Sequence, residues 1–334
     1  MGDPGLPDPV CVLAMHPAHA SAPGKIILFG EHAVVHGQPA IAVPLTAVQV
    51  AVSARPTPPG SGITVHVPAG DHTLHLNALD NLDSANSAHN ALLYPLVVAL
   101  RALQQPVPDL TFTVESTIPI ASGLGSGAAL AAALIRALGA ALDRPFDNPT
   151  LNPLVFEVEK RHHGLPSGID NTVIVYAQPV FFVRDHPIQT FSIAHPFTVI
   201  VADSGKSSPT RFTVGDVRQL YQANPVHIGG IFTRIGDIAQ AARTAIESGT
   251  IEVLGSLMDE NHRLLQQLTV SSGELDRLCD AARQAGARGA KLSGGGRGGN
   301  VIALVEPATA APVTAALRAA GAVNVIQTTV QQNT

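Results

Sequence analysis

The chain has 334 residues, 46% of them hydrophobic, with a mean hydropathy of +0.23, which allows two domains with ordinary cores and excludes a disordered chain. A formal net charge of −5, spread without runs of one sign, excludes the electrostatic footprint of a partner such as nucleic acid or an anionic membrane surface. No stretch of about 18 uncharged apolar residues occurs that could form a membrane-spanning helix.

The two cysteines, Cys11 and Cys279, lie far apart and form no metal or redox motif, a pattern of reducing compartments that predicts a cytoplasmic protein. None of the 14 histidines falls in a zinc spacing.

Residues 1–20, rich in Pro, Ala, Asp and Gly and without the features of a signal peptide, read as a loose tail; Met15 is an alternative start. Ile26 to Phe29 then reads as a buried strand that Gly30 breaks, and Ile41 to Ala54 as a longer strand with partial alternation. Between them lie Glu31 and His32, either a solvated hairpin turn or a charged pair kept at a sheet end for a use. Ile63 to Leu76 predicts a hairpin turning at Pro68–Asp71; a polar loop covers 77–90, and Ala91 to Leu103 is an apolar helix whose stripe reads as core.

A strand over Leu110 to Glu115 leads into Pro119-Ile-Ala-Ser-Gly-Leu-Gly-Ser-Gly-Ala-Ala-Leu130. Its glycines let the backbone turn tightly, and the alanine-rich helix that follows, Ser126 to Leu142, is apolar on nearly every face and so central. Unpaired amides and the dipole at such a helix start suit a phosphate, although a flexible turn before a buried helix has the same composition. No lysine follows the glycines, which excludes the Gly-x-x-x-x-Gly-Lys-Ser/Thr loop and the strict Gly-x-Gly-x-x-Gly fingerprint.

Asn148 starts the next helix and Gly164 ends it. On the residues alone, Glu159 reads as a surface charge of this helix. Asp170 follows the turn Pro166-Ser-Gly and precedes an apolar segment, Thr172 to Tyr176, read as a strand that holds the carboxylate at its edge. Beyond a strand at Phe197 to Ala202 and a Ser/Lys-rich loop, helices are predicted over Val214–Gln222, His227–Glu247, Ile251–Leu268 and Gly273–Gln284. A strand carrying a glycine motif, a strand Val301–Val305, a helix Ala308–Ala320 and a strand Val323–Val330 complete the chain. This order suggests a ferredoxin-like α/β sandwich for the second half.

Three stretches carry a family resemblance. Pro23-Gly-Lys-Ile-Ile-Leu-Phe-Gly-Glu-His-Ala-Val-Val-His-Gly37 resembles the opening motif of the mevalonate kinase branch of the GHMP kinases. Pro119 to Ala129 resembles that superfamily's phosphate loop, and Lys291-Leu-Ser-Gly-Gly-Gly-Arg-Gly-Gly-Asn300 its C-terminal glycine motif, in the same order and spacing. Met258-Asp-Glu-Asn-His-Arg-Leu-Leu265 is similar to a helix of the same branch. The resemblance implies an α+β, two-domain GHMP kinase fold: a domain like the second domain of ribosomal protein S5 over 21–195 and a ferredoxin-like domain over 196–334. It implies an ATP- and Mg2+-dependent kinase of isoprenoid biosynthesis acting on mevalonate, with a kinase of phosphomevalonate or of another mevalonate hydroxyl, or a non-catalytic ligand sensor, as rivals. A homodimer is left open.

Residue by residue, the resemblance implies Asp170 as base with Lys25 as its electrostatic partner, and Glu159 with Ser126 at the metal. It implies Ser116, Ala121, Ser122, Gly123, Leu124, Gly125, Ser126 and Gly127 at ATP, and Lys25, Glu31, His32 and Thr210 at the acceptor. An aspartate with a reference pKa near 3.9 cannot strip a free alcohol unaided, so Lys25 would lower the hydroxyl's proton affinity while Asp170 takes the proton. Three departures stand out. Gly127 replaces the family's usual second serine, so either Ser126 or a water completes the metal shell. Ser208 stands where many relatives carry arginine, leaving Lys206 or Arg211 for the substrate carboxylate. Arg297 replaces a glycine and either reaches a phosphate or faces solvent.

Overall fold

The computed structural model describes residues 15–79, 88–119, 122–163, 166–187, 189–206 and 210–331. Its first half is built on β2 (Ala40–Pro56), whose opening six residues are all buried before an alternating pattern sets in. β1 (Ala18–Phe29) runs antiparallel along it, from Ala18 opposite Ala54 to Phe29 opposite Ile41. The strand therefore begins inside the segment read as tail, because its first residues pair in register with the far end of β2; residues 1–14 lie outside the described part. The register shifts between Pro23 and Gly24, which sets Lys25 opposite Pro44. Such bulges re-aim a side chain beside a site.

The sheet continues through β5 (Leu110–Ser116), β3 (Ile63–Val67) and β4 (His72–Leu76) beside one end of β2, and through β6 (Val180–Phe182) and β7 (Gln189–Thr190) beside the other. The β3–β4 hairpin turns over Pro68–Gly70 as expected. Against the sheet lies α2 (Ser126–Ala141), buried on nearly every face, flanked by α1 (Ala88–Leu103) and α3 (Asn148–His163). Its alanines keep helix propensity high and let neighbours approach closely.

One expectation fails here. Residues 169–176 form a helix, α4 (Ile169–Tyr176), not a strand. Ile169 and every residue from Asn171 to Val175 are buried, so the run has no periodicity to separate the two states, and its β-branched residues bias the reading toward a strand. Packing decides instead: Gly168 starts the helix with a φ of 89°, and Thr172 Oγ1 donates to the Gly168 carbonyl at 2.6 Å.

The second half centres on β8 (Phe197–Asp203), β9 (Gly289–Ser293), β10 (Asn300–Val305) and β11 (Asn324–Val330), in the order β11-β8-β10-β9 and antiparallel throughout. With α5 (Thr210–Ala223), α6 (Pro225–Ser248), α7 (Leu254–Gln267) and α8 (Gly273–Gln284) between the first two strands and α9 (Pro307–Ala319) before the last, this is the ferredoxin-like order. Alternation along β8 divides two cores. Val199 and Val201 join the large core shared with the first sheet, whereas Ile200 and Ala202 face a second core under α8 and α9. The two domains are thus packed through a continuous interior.

Candidate active site

Lys25 leaves β1 just past the bulge, and its backbone N–H donates to the Leu124 carbonyl at 2.9 Å, tying the strand to the glycine loop. The loop comes so near that a Cβ at Gly125, where φ is 78°, would lie 2.7 Å from Ile174 Cδ1 and 2.8 Å from Lys25 Cγ. Only glycine fits there. Gly125 also precedes α2 without a side-chain cap, and the amides of Gly123, Leu124 and Gly125 donate to no described residue. These are the free donors an anion needs at a helix start.

Asp170 sits in the first turn of α4, and its Oδ1 lies 2.9 Å from Lys25 Nζ. The lysine side chain is 7% exposed and the aspartate 35%, so the pair opens to solvent on the carboxylate side. Glu159 comes in from α3 and is 3% exposed, not a surface charge. Burial, then the negative charge of Asp170, push its carboxyl up to about 7, while Lys25 pulls it back. A Cβ on Gly127 would stand 3.2 Å from Glu159 Oε1, so the missing side chain leaves space between the helix start and this carboxylate.

Glu159, buried and close enough to Asp170 to feel its charge, is the group here that fits a magnesium ion. Magnesium takes one or two carboxylates and otherwise keeps water and substrate phosphates, and a carboxylate buried at this cost is stabilised by a cation. Among the described residues no cluster of three His, Cys, Asp or Glu side chains exists that would suit a fully protein-bound ion.

The remaining expected residues fall into distinct places. Ser122 is buried, and its hydroxyl donates to the Pro119 carbonyl at 2.7 Å. Ser116 is exposed at the end of β5 and accepts from the Ile118 N–H at 3.2 Å. Ala121, Ser208 and the side chains of Thr210 and Arg211 lie outside the described part, although Thr210 is placed as the first residue of α5. Lys206 pairs with Glu274 at the surface.

Glu31 and His32 are buried and do not form a solvated turn. The Glu31 carboxylate accepts from Lys291 Nζ, both groups being buried, and Lys291 also donates to the Leu292 carbonyl at 2.6 Å. His32, held at a φ of 60°, makes a 3.0 Å Nε2 hydrogen bond to the Gly295 carbonyl, and burial lowers its pKa to about 4. Ser293 Oγ adds a 2.8 Å bond to the Ile27 carbonyl. The first motif therefore grips the third across the domain boundary. Arg297, half-buried in a left-handed conformation, φ 54°, pairs with Asp216 on α5 and donates to the Thr269 carbonyl at 3.1 Å.

Support for the grip comes from α7. His262 Nδ1 accepts the Leu292 N–H at 3.2 Å, so its Nε2–H donates to Asp276 at 3.0 Å, while Asp259 accepts the Ala290 N–H at 3.0 Å. The helix itself is legible in the sequence, but nothing in a lone His or Asp announces a partner on a distant strand.

A lysine–carboxylate pair and a second, cation-demanding carboxylate beside free amides at a helix start are what transfer of a phosphoryl group to an alcohol requires. Comparison with known proteins agrees. Residues 91–178 match the GHMP kinases N terminal domain and residues 242–323 the GHMP kinases C terminal domain. The mevalonate kinase of Aeropyrum pernix is 36% identical over 294 residues, covering 86% of this chain and 89% of its own. That of Pyrococcus furiosus is 32% identical over 313 residues, 90% and 93% of the two chains. The crystal structure of L. major mevalonate kinase in complex with R-mevalonate superposes with a TM-score of 0.82 at 27% identity, covering 96% of this chain and 98% of that one.

Proposed function

This chain belongs to the mevalonate kinase family of the GHMP kinases, ATP-dependent enzymes, and from that premise we propose that it transfers the γ-phosphate of ATP to the 5-hydroxyl of (R)-mevalonate. The observation that carries the reading is the 2.9 Å approach of Lys25 to Asp170 beside the glycine loop. The acceptor hydroxyl lies against this pair: the ammonium lowers its proton affinity, and Asp170 takes the proton as the new oxygen–phosphorus bond forms and the bond to ADP breaks. The amides of Gly123 to Gly125 and the start of α2 face the phosphates, where they need no reorientation as charge moves. Glu159 and Ser126 would hold Mg2+, which when bound would supply positive charge to offset that of the phosphates. Glu31 and His32 bind on the acceptor side, and Thr210 enters the acceptor pocket from the start of α5. The domain boundary falls between residues 195 and 196.

A coupled ADP-release assay with mevalonate, phosphomevalonate, homoserine and galactose tests the reading. ADP release with mevalonate alone is expected; preference for phosphomevalonate selects the rival kinase, and no release with any acceptor leaves a ligand sensor.

A further inference from the structure

A buried side chain of the C-terminal domain, that of Asn300, reaches the phosphate loop. Asn300 is the first residue of β10 and is 2% exposed; it is flanked by Asp203 of β8 and Ser293 of β9, so a rigid sheet carries it. Its Nδ2 donates to the Ser122 carbonyl. Only the amide nitrogen of asparagine can donate to a carbonyl, so this partner fixes the orientation of the group, and Oδ1 is left buried without a described partner.

Ser122 is therefore held twice, by its hydroxyl within the loop and by its carbonyl across the domain boundary. The next residue, Gly123, has a φ of 74°, a conformation in which a glycine peptide is otherwise free to turn over. A trans peptide points its C=O and N–H in opposite directions, so pinning the Ser122 carbonyl also fixes where the Gly123 N–H faces.

We propose that Asn300 is a positioning residue for the nucleotide's polyphosphate: its amide holds the Ser122–Gly123 peptide so that the Gly123 N–H is presented to phosphate oxygens. The inference rests on the phosphate loop binding ATP as described above. It makes the C-terminal glycine motif part of the nucleotide site as well as of the domain grip, since the same segment holds Glu31 and His32 at one end and the loop at the other.

Asn300→Leu keeps the branched shape and removes the donor; Asn300→Ala only deletes atoms and keeps the test readable should the larger leucine not pack. The measurements are calorimetric affinity for a non-hydrolysable ATP analogue with Mg2+, steady-state KM for ATP and for mevalonate, and amide exchange across residues 122–127. Both variants are expected to weaken nucleotide binding about tenfold, the range of one lost hydrogen bond, to leave the mevalonate KM within about twofold, and to speed exchange in the loop. Unchanged nucleotide affinity in both variants, or equal rises in the two KM values, overturns the inference and leaves a packing role. A parent enzyme that binds no nucleotide refutes the kinase reading itself, a result distinct from either.

Discussion

Two lysine–carboxylate pairs flank the opening motif, and they differ mainly in their access to water. Lys25 and Asp170 sit 2.9 Å apart with the aspartate side chain 35% exposed, whereas Lys291 and Glu31 are 0% and 1% exposed. Burial raises the Glu31 pKa and lowers that of Lys291, each change opposed by the partner's charge. A sealed pair of this kind joins two domains, whereas an open pair turns a carboxylate toward solvent. Two charged residues of one motif, Lys25 and Glu31, six positions apart, thus differ in whether the partner of each meets water.

The sharpest way to break the comparison is to neutralise one member of each pair in turn. Asp170→Asn should lower kcat by about a thousandfold, the scale of a lost general base, while the urea midpoint stays near that of the parent. Lys291→Met should do the reverse. It strands the Glu31 carboxylate in the interior, and loss of one partner of a buried pair is destabilising by roughly 3–5 kcal/mol, readable in urea unfolding; the double variant with Glu31→Gln should recover part of the loss. If Lys291→Met instead kept full stability and lost turnover, Glu31 would belong with the chemistry.

Glu159 sharpens the same contrast through pH, since it is buried like Glu31 yet lies beside the open pair. Its folded pKa of about 7 exceeds the ordinary carboxyl value of 4.5. Between these values the unfolded chain has released a proton that the folded protein keeps, so metal-free stability falls as pH rises, by on the order of 3 kcal/mol in total. His32 works in the opposite sense. With a folded pKa of about 4 against 6.5, it adds stability as pH rises over that window and loses it as pH falls. Thermal melts of the metal-free Glu159→Gln variant should therefore lack the decline and retain the His32 rise; a parental profile would show that Glu159 does not titrate in this window. The smallest effect expected is at Ser126, where Ser126→Ala should lower turnover at least roughly tenfold, about one charge-stabilising contact. Parental rates would remove this hydroxyl from the metal site and leave a water in the space opposite Gly127.

Much of this was legible from the chain because it is written in local pattern. The β3–β4 hairpin, the helix after the glycine loop and the ferredoxin-like order all follow from turn residues and apolar periodicity. The segment 169–176 did not, since a run buried on all sides carries no period. Nor did the partners of Glu31, His32, Asn300 and Arg297, which lie on other elements and up to 263 residues away in the chain.

The amino-acid sequence by itself determined the family, the two-domain order and the residue types that meet in the cleft, because motif, spacing and composition are properties of the chain. Tertiary structure alone decided which charges face water and which are sealed. Desolvation depends on what packs around a group from distant segments, and it is this that makes Asp170 available to a substrate, pushes Glu159 toward neutrality and turns Glu31 into a joint between domains.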